Sequence, residues 1–403
     1  MRHCLTAIVV LAFLVTPGSA QEPVSSSSAA LFQEIDEVIA ELSRITGWKA
    51  PRKISPESIS KDGLKQFLEA RIQEIVKPEE IRAEEIALKK LGLVPEDFDL
   101  KKMTIDLLTE QAAAFYDYKK KKLVVLESNM SLMQKPILVH ELAHALADAH
   151  FNLGKYLLRG KSDDAALSRQ AVMEGQATWL MSEYLMVKMG TSLRSGSEMA
   201  GMMGRINTSS GAYPVFDAAP LYLRESLLFP YSKGFTFQHA VVLKYGQKAF
   251  SEVFRNPPAS SQQILHPEKY FSRTAAAKPP LPKADVGGFR PMIEGALGEF
   301  DHDVLFRQYG SAGDAALAER WRGAHFQIFE HKRDQRFLLL YASEWEDEKA
   351  AGEVFRMYRK VLEGKWKKIT FESESESELS GAGDGGRFRV RREGNRVTSV
   401  EGL

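Results

Sequence analysis

The chain has 403 residues, of which 44% are hydrophobic and 27% charged, a composition typical of a folded protein with one large or two modest cores. Its 54 basic residues (Lys and Arg) almost balance its 53 acidic ones. A near-neutral chain lacks the basic surface that nucleic-acid binders and anionic-membrane binders need. We therefore expect no nucleic-acid partner.

The first 20 residues have the pattern of an export signal. A short basic start precedes an apolar run from Leu5 to Val15, and small residues follow the run. The run is too short to cross a bilayer, so a cleavable signal peptide (1–20) is favoured over a short membrane anchor. We expect a secreted or periplasmic protein with no stable membrane insertion after cleavage. The single cysteine, Cys4, lies in this segment, so the mature chain would contain no disulfide.

The remaining chain predicts an α+β protein that is mostly helical. A polar linker (21–28) leads into an N-terminal helical region (29–100), where apolar residues recur at helical spacing. A central domain is predicted over 101–285. It begins with a β-hairpin in AAAFYDYKKKKLVV and continues with two helical patterns over 136–149 and 162–190. A further helix is expected from about Phe235.

The last part of the chain, 290–403, is predicted to form an α+β C-terminal subdomain, either separate or a closely packed extension of the central domain. QRFLLLYASEW and KKITFES have strand patterns on either side of a helical pattern. SESESELSGAGDGG, from Ser373 to Gly386, is of low complexity and is predicted to be a loop. GRFRVRREGNRVTSVEG predicts a hairpin that turns at Gly394 and Asn395.

The stretch HELAHALADAHF, from His140 to Phe151, carries the clearest chemical signal. On a helix, residues four apart lie about 40° apart around the axis, so His140 and His144 project from one face. Two such imidazoles suit zinc, which in catalytic sites has three protein ligands and an open position for water. Glu141 would lie beside the ion, where a carboxylate can accept a proton from the attacking water. The alternative is a pair of core histidines on an apolar helix.

Two residues compete for the place of third zinc ligand. His150 follows His144 at the spacing of the metzincin pattern, but Ala147 stands where that pattern has a helix-breaking glycine. If the helix continues, His150 lies roughly 240° round from His144 and roughly 9 Å further along, out of reach. Glu174 in AVMEGQATWLM lies on the next predicted helix among apolar residues, where a buried carboxylate needs a cation or a metal. We favour Glu174, with His150 as the alternative.

Three more residues are candidates around the zinc. Asp148 lies one turn after His144 and is predicted to accept an imidazole N–H from the second shell. Tyr231 and His266 are candidate catalytic donors to the oxyanion of amide hydrolysis, because each lies in a turn-like segment. The alternative for Asp148 is a solvated acid at the end of the helix, and the alternative for Tyr231 and His266 is a structural role.

With these residues, the chain resembles the gluzincin class of zincin metallopeptidases, which share H-E-x-x-H and a glutamate on a following helix. It resembles more closely a group of exported bacterial proteins of unassigned role, which share stretches such as LGLVPEDFDL, VHELAHALADAHF, AVMEGQATWLM and LLFPYSKGFTFQHAVV. This resemblance covers about Glu79 to Tyr270. It implies a zincin-like core, in which a small sheet packs on the active-site helix and the substrate lies along an edge strand.

The leading hypothesis is an exported zinc-dependent metallopeptidase that acts on a peptide or protein substrate. His140, His144 and Glu174 would hold Zn2+, and Glu141 would be the general base. The alternative is a catalytically silent zincin-like protein that binds metal or peptide. A third hypothesis is a hydrolase that acts on a non-peptide bond. The presence of Glu141 favours catalysis, because a protein that only binds has no need of a base there.

Overall fold

The computed structural model describes residues 28–403 apart from 52, 128–134, 161, 196–212 and 312. The predicted signal peptide lies outside these residues, and so does the predicted linker except for its last residue. The fold is α+β and contains more helix than strand. Over the described part of the chain, no helix combines the length and the apolar character that crossing a membrane requires.

Helices dominate the described residues up to 271, together with three short strands. In chain order the elements are α1 (Ser28–Thr46), β1 (Ser55–Ile59), α2 (Lys61–Ile75), α3 (Pro78–Leu91), α4 (Leu100–Gln111), β2 (Ala114–Asp117), β3 (Lys122–Leu126), α5 (Lys135–Phe151), α6 (Leu153–Leu157), α7 (Asp163–Lys188), α8 (Pro214–Ala218), α9 (Leu221–Tyr245), α10 (Ala249–Arg255), α11 (Ser261–Leu265) and α12 (Pro267–Phe271).

A three-stranded sheet with the order β1-β3-β2 lies beside α5. Strand β3 pairs with β2 as the predicted antiparallel hairpin and with β1 in parallel. The N-terminal region predicted over 29–100 therefore contains a strand, β1, besides its helices. Its sequence, SPESI, is short and mostly polar and has no strand pattern of its own. It is a strand because it pairs with β3: Ser55 lies opposite Lys122, which follows it by 67 residues in the sequence.

Helix α9 begins at Leu221, well before the predicted start near Phe235. Pro230 lies inside it, and an internal proline normally ends or kinks a helix because it lacks an N–H and clashes with the preceding turn. Here the buried residues continue through the proline, from Leu223 and Leu227 to Phe235. Tertiary packing therefore outweighs the local cost of the proline.

The described residues from 289 onward form an antiparallel sheet with two helices. The elements are β4 (Phe289–Gly295), α13 (Glu299–Tyr309), β5 (Trp321–His331), β6 (Phe337–Trp345), α14 (Glu348–Lys365), β7 (Ile369–Glu374), β8 (Glu378–Gly383), β9 (Gly386–Glu393) and β10 (Arg396–Glu401).

The seven strands of this sheet have the order β4-β5-β6-β10-β9-β8-β7. The predicted low-complexity loop is wrong: most of it belongs to β7, β8 and the turn between them. Its alternating serines and glutamates offer no apolar face that would indicate a strand. Its pairing with β9, which places Leu379 opposite Val390, stabilises the extended conformation.

The two C-terminal helices, α13 and α14, are joined to the end of α3 by part-buried polar contacts. The carbonyl oxygen of Gly92 accepts hydrogen bonds from the Tyr309 phenol (2.6 Å) and the Gln308 amide (3.0 Å). The Lys365 ammonium donates to the Lys90 carbonyl (2.8 Å) and forms a buried ion pair with Glu401 (2.6 Å). The apolar core is also continuous from α1 to β10.

Carboxyl groups cluster where the first turn of α7 meets the first turn of α13. Asp164 accepts the Ser261 N–H at 2.8 Å, and Asp301 accepts the Gly298 N–H at 2.6 Å. Burial raises the pKa of Asp164 to about 6, and burial together with the charge of Asp164 raises the pKa of Asp301 to about 7. Both groups hold a proton in the folded protein at pH values where the unfolded chain has lost it.

This cluster predicts that stability falls as pH rises. The contribution of a group with a raised folded pKa is fully present below about pH 4 and is lost as pH rises to about 7. The free energy of unfolding of wild type should fall between pH 5 and pH 8. In Asp301→Asn this fall should be smaller, by on the order of 1 kcal/mol. Urea unfolding at each pH measures this, with the exposed Asp97→Asn as control. An unchanged slope in Asp301→Asn would show that Asp301 is not the titrating group.

Candidate metal centre

Helix α5 is a core helix that runs without a break past Ala147 to Phe151. Every residue from Ile137 to Asp148 is buried. His140 and His144 lie on one face of it, as the spacing predicts, with side chains 1% and 9% exposed. Burial of a polar side chain lowers the stability of the fold unless its hydrogen-bonding groups find partners.

Helix α7 brings Glu174 to the two imidazoles. The Oε2 atom of Glu174 lies 3.1 Å from the Nε2 of His140 and 3.2 Å from the Nε2 of His144. The two Nε2 atoms lie 2.9 Å apart. Within the described part of the chain, these three residues are the one group of three or more His, Cys, Asp or Glu side chains placed to share a metal ion.

The chemistry and the spacing of this cluster fit zinc. Three lone-pair donors converge on one point, and at most one proton fits between the two Nε2 atoms, so hydrogen bonds alone satisfy the cluster poorly. Ligands bound tetrahedrally to zinc at about 2.0–2.1 Å are roughly 3.3 Å from one another. The separations of 2.9–3.2 Å are close to that value.

The buried charges of the cluster stabilise one another. Burial lowers the pKa of His140 to about 4, so this imidazole is neutral and offers a lone pair. Burial alone would raise the pKa of Glu174, but His144 and His140 outweigh it and hold this pKa at about 2. Burial likewise opposes protonation of His144, yet the charge of Glu174 raises its pKa. The site therefore favours an ionised carboxylate beside a cation.

Glu141 lies next to the cluster and is held by the edge strand β2. Its Oε2 accepts the backbone N–H of Tyr116 at 2.7 Å. Burial, with the charge of Glu174, raises the pKa of Glu141 to about 8, while His144 and the Tyr116 N–H oppose this rise. A carboxylate so placed can accept and return a proton at the cluster.

The C-terminal sheet has a match among known domain families. A domain of unknown function, DUF8575, matches residues 290–403. No curated protein and no solved structure matches the chain. The DUF8575 match contains none of the cluster residues, which all lie before it. The geometry of α5 and α7 is therefore what bears on the chemistry of the cluster.

Asp148 is buried one turn after His144, but its hydrogen-bond partners lie outside the metal cluster. Oδ1 accepts the Leu153 N–H at 2.9 Å, and Oδ2 accepts the Tyr116 phenol at 3.0 Å and pairs with Lys121. The predicted bond to an imidazole N–H is thus not seen among the described residues. Asp148 instead ties the end of α5 to the β2–β3 hairpin.

His150 is turned away from the cluster, as the unbroken helix requires. Its Nε2 lies 2.9 Å from the carbonyl oxygen of Lys49, and its ring packs on Trp48 with the ring centres 5.4 Å apart. The residue is exposed. Of the two candidates for third ligand, the structure therefore places Glu174, and not His150, beside His140 and His144.

The two candidate oxyanion donors lie in different places. Tyr231 is buried on α9, where its ring stacks on His140 with the centres 6.0 Å apart. The expected turn-like segment is wrong, since α9 is helical there. His266 joins α11 to α12, and its Nε2 lies 2.6 Å from the buried Glu299 in the DUF8575-matching region. It lines a cleft of about 380 Å³ with Glu299 and does not join the metal cluster.

Two residues at the cluster have no motif that would reveal them. Tyr116 acts through its backbone N–H, and only the position of its strand beside α5 gives it that role. Gly234 contacts Gly175, the residue after Glu174: a Cβ atom placed on Gly175 would lie 2.1 Å from the carbonyl carbon of Gly234. A glycine inside an apolar helical pattern, at the end of YSKG, is the one signal in the sequence that points to this close approach.

Proposed function

We propose that this protein is an exported zinc-dependent metallopeptidase. The observation that carries the proposal is the convergence of two imidazole nitrogens and one carboxylate oxygen within 3.2 Å, with a second carboxylate, Glu141, one residue away. His140, His144 and Glu174 would hold the metal. Three protein ligands rather than four are typical of a catalytic zinc site, because one position is left for the reaction.

Zinc bound at this cluster would supply a Lewis acid that makes water nucleophilic near neutral pH and polarises a carbonyl group. Glu141 would take the proton of the attacking water and then deliver it to the leaving amine. The Tyr116 N–H fixes one oxygen of Glu141, which leaves Oε1 as the oxygen for proton transfer. His140 and Glu174, almost fully buried, keep their lone pairs directed at one point.

The surroundings of α5 support a zincin-like core and a peptide substrate. Edge strand β2 of the small sheet contacts α5 through the hydrogen bonds of Tyr116 with Glu141 and Asp148, and the resemblance to gluzincins implies a sheet in this position. An extended peptide beside an edge strand can form main-chain hydrogen bonds. The apolar run at the N-terminus supports an extracytoplasmic substrate, because it indicates export.

Removal and return of the metal test the proposal. The mature protein should contain about one zinc per chain, cleave members of a broad peptide library, lose cleavage after dialysis against a chelator, and recover it with added zinc. His150→Ala serves as the control, since His150 lies on the same helix but away from the cluster, and it should behave as wild type. A protein that holds zinc but cleaves no peptide would be a zincin-like binding protein instead.

A further inference from the structure

A cleft of about 380 Å³ lies between α9, the joint of α11 and α12, and α13. Phe229 and Lys233 line it from α9, and each lies about 200° round that helix from Tyr231, which faces the metal cluster. Glu299, the first residue of α13, lines it from the other side. The cleft is therefore separated from the metal cluster by the width of α9.

Glu299 has one carboxylate oxygen with a hydrogen-bond partner and one without. Its side chain is only 3% exposed. Oε1 lies 2.6 Å from Nε2 of His266, and the imidazole N–H donates because a carboxylate can only accept. Oε2 is also buried and has no hydrogen-bond partner among the described residues. Such an oxygen lowers stability unless a donor reaches it, and a molecule bound in the cleft can supply that donor.

The charge of the cleft favours a cation. Four carboxylates line it: Glu225, Glu299, Asp303 and Glu319. Two cations offset them in part, since Lys233 also lines the cleft and Arg307 pairs with Glu225 at 2.9 Å and with Asp303 at 3.0 Å. With His266 neutral, these groups together carry a negative charge, and a cleft of one sign attracts a ligand of the other.

The walls of the cleft favour an organic cation over a metal ion. The rings of Phe229 and Phe300 both line it, with their centres 4.8 Å apart. An aromatic ring attracts a cation within about 6 Å of its centre, and apolar walls cover the methylene groups of an aliphatic stem. A metal ion usually takes at least three protein ligands, and the described residues of this cleft contain no such group.

We propose that this cleft binds an organic cation with an aliphatic stem, the chemistry of a lysine or arginine side chain, through an N–H that donates to Oε2 of Glu299. His266, bound to Oε1, holds the carboxylate in place. The cleft lies where α9 meets the DUF8575-matching region, so this inference gives that region a ligand site of its own. Binding of the cation does not require zinc.

Calorimetric titration of the mature protein with small cations tests the site, in the zinc-free and the zinc-loaded protein alike. The probes are n-butylammonium, n-butylguanidinium and N-acetyl-lysine methylamide, and the uncharged counterpart is N-acetyl-norleucine methylamide. We expect the cations to bind and the norleucine derivative not to bind. Either order of affinity supports the site: tighter binding of the lysine derivative than of n-butylammonium indicates a protein side chain as the ligand, and equal binding indicates a free organic cation.

Glu299→Gln and Glu268→Gln form a matched pair of variants. Both carboxyl groups lie near His266, but the Glu268 side chain is 72% exposed and lies outside the cleft. We expect the Kd of the cations to rise roughly 10- to 100-fold in Glu299→Gln and to stay at the wild-type value in Glu268→Gln. Ala316→Phe keeps Glu299 and changes an exposed residue of the cleft lining. It should also weaken binding, by filling the cleft, so the test does not depend on a substitution in the core.

Three results would overturn the inference. Wild-type protein that binds no organic cation would leave Oε2 to an ordered water. Uptake of Ca2+ or Zn2+ that Glu299→Gln abolishes, without uptake of an organic cation, would make the cleft a metal site. Equal weakening in Glu299→Gln and Glu268→Gln would place the cation elsewhere. None of these results bears on the zinc site of α5 and α7, so failure of one proposal can be told from failure of the other.

Discussion

Replacement of Glu141 with glutamine should abolish peptide cleavage and leave zinc in place. Glutamine has the same shape, and its amide oxygen can accept the Tyr116 N–H that Glu141 accepts at 2.7 Å. It cannot take a proton from water, and loss of a general base typically costs 10²- to 10⁴-fold in rate. We expect kcat/KM to fall by at least about 10²-fold, with zinc content and melting temperature close to those of wild type.

Glu183→Gln is the matched control for this substitution. Glu183 is buried on α7 and accepts the Leu193 N–H at 2.7 Å, so it resembles Glu141 in burial and in hydrogen bonding but does not belong to the cluster. It should keep full cleavage. If Glu141→Gln cleaved peptides at the wild-type rate, Glu141 would not be the base and the assignment of α5 as a catalytic helix would be wrong.

Gly175→Ala should both destabilise the fold and weaken zinc binding. The added methyl group would meet the backbone of Gly234 at 2.1 Å, and α9 can relieve the overlap only by moving away from α7. Overpacking of a buried site usually costs about 1–3 kcal/mol, and more where backbone must move. We expect a loss of at least about 3 kcal/mol in urea unfolding of the zinc-free protein. Movement of α9 would also shift Tyr231, whose ring stacks on His140, one of the candidate ligands.

The same substitution at Gly352 separates packing from helix propensity. Gly352 lies inside α14, and a Cβ atom there would have its nearest neighbour, in the Arg356 side chain, at 3.9 Å. Alanine favours a helix over glycine by about 1 kcal/mol. Gly352→Ala should therefore be stabilising and leave zinc affinity unchanged. Gly175→Ala with wild-type stability would contradict the close contact of α7 and α9.

The two histidines of the cluster could be predicted from the sequence because their relative position depends only on the geometry of one helix. His140 and His144 lie four residues apart on one helix, and the alanine at 147 indicates that this helix continues past His150. Glu174 could be proposed because an acid embedded in an apolar helical pattern needs a partner. The structure brings Glu174 Oε2 to both imidazoles and turns His150 toward Lys49.

The surroundings of the cluster could not be predicted, because they depend on contacts between distant segments. Asp148 follows His144 by one turn, yet its carboxylate is used by the hairpin and by the start of α6. Tyr231 is predicted as an oxyanion donor because the proline and glycine in FPYSKG indicate a turn. Packing instead keeps this segment helical in α9. Strand β1 exists because β3 offers it a partner. Except for Asp148 and the start of α6, the members of these pairs lie too far apart in the sequence to appear in one window.

The candidate metal site and the DUF8575-matching region lie in different parts of the chain but are in contact through α7. The candidate chemistry lies on α5 and α7. The DUF8575-matching region donates a hydrogen bond to Gly92, just after α3, and packs Gly298 against Asp164 in the first turn of α7. Asp164, at that first turn, lies on the same helix as Glu174. The DUF8575-matching region therefore packs against the first turn of the helix that carries the third candidate ligand.

The most direct test of the metal site is anomalous X-ray scattering at the zinc edge from crystals of the mature protein grown with zinc. We predict one strong peak per chain, bounded by the Nε2 atoms of His140 and His144 and by the Glu174 carboxylate. Loss of this peak in Glu174→Ala crystals, with its retention in His150→Ala crystals, would complete the assignment. The absence of a peak at the cluster, or a peak at His150 instead, would contradict it.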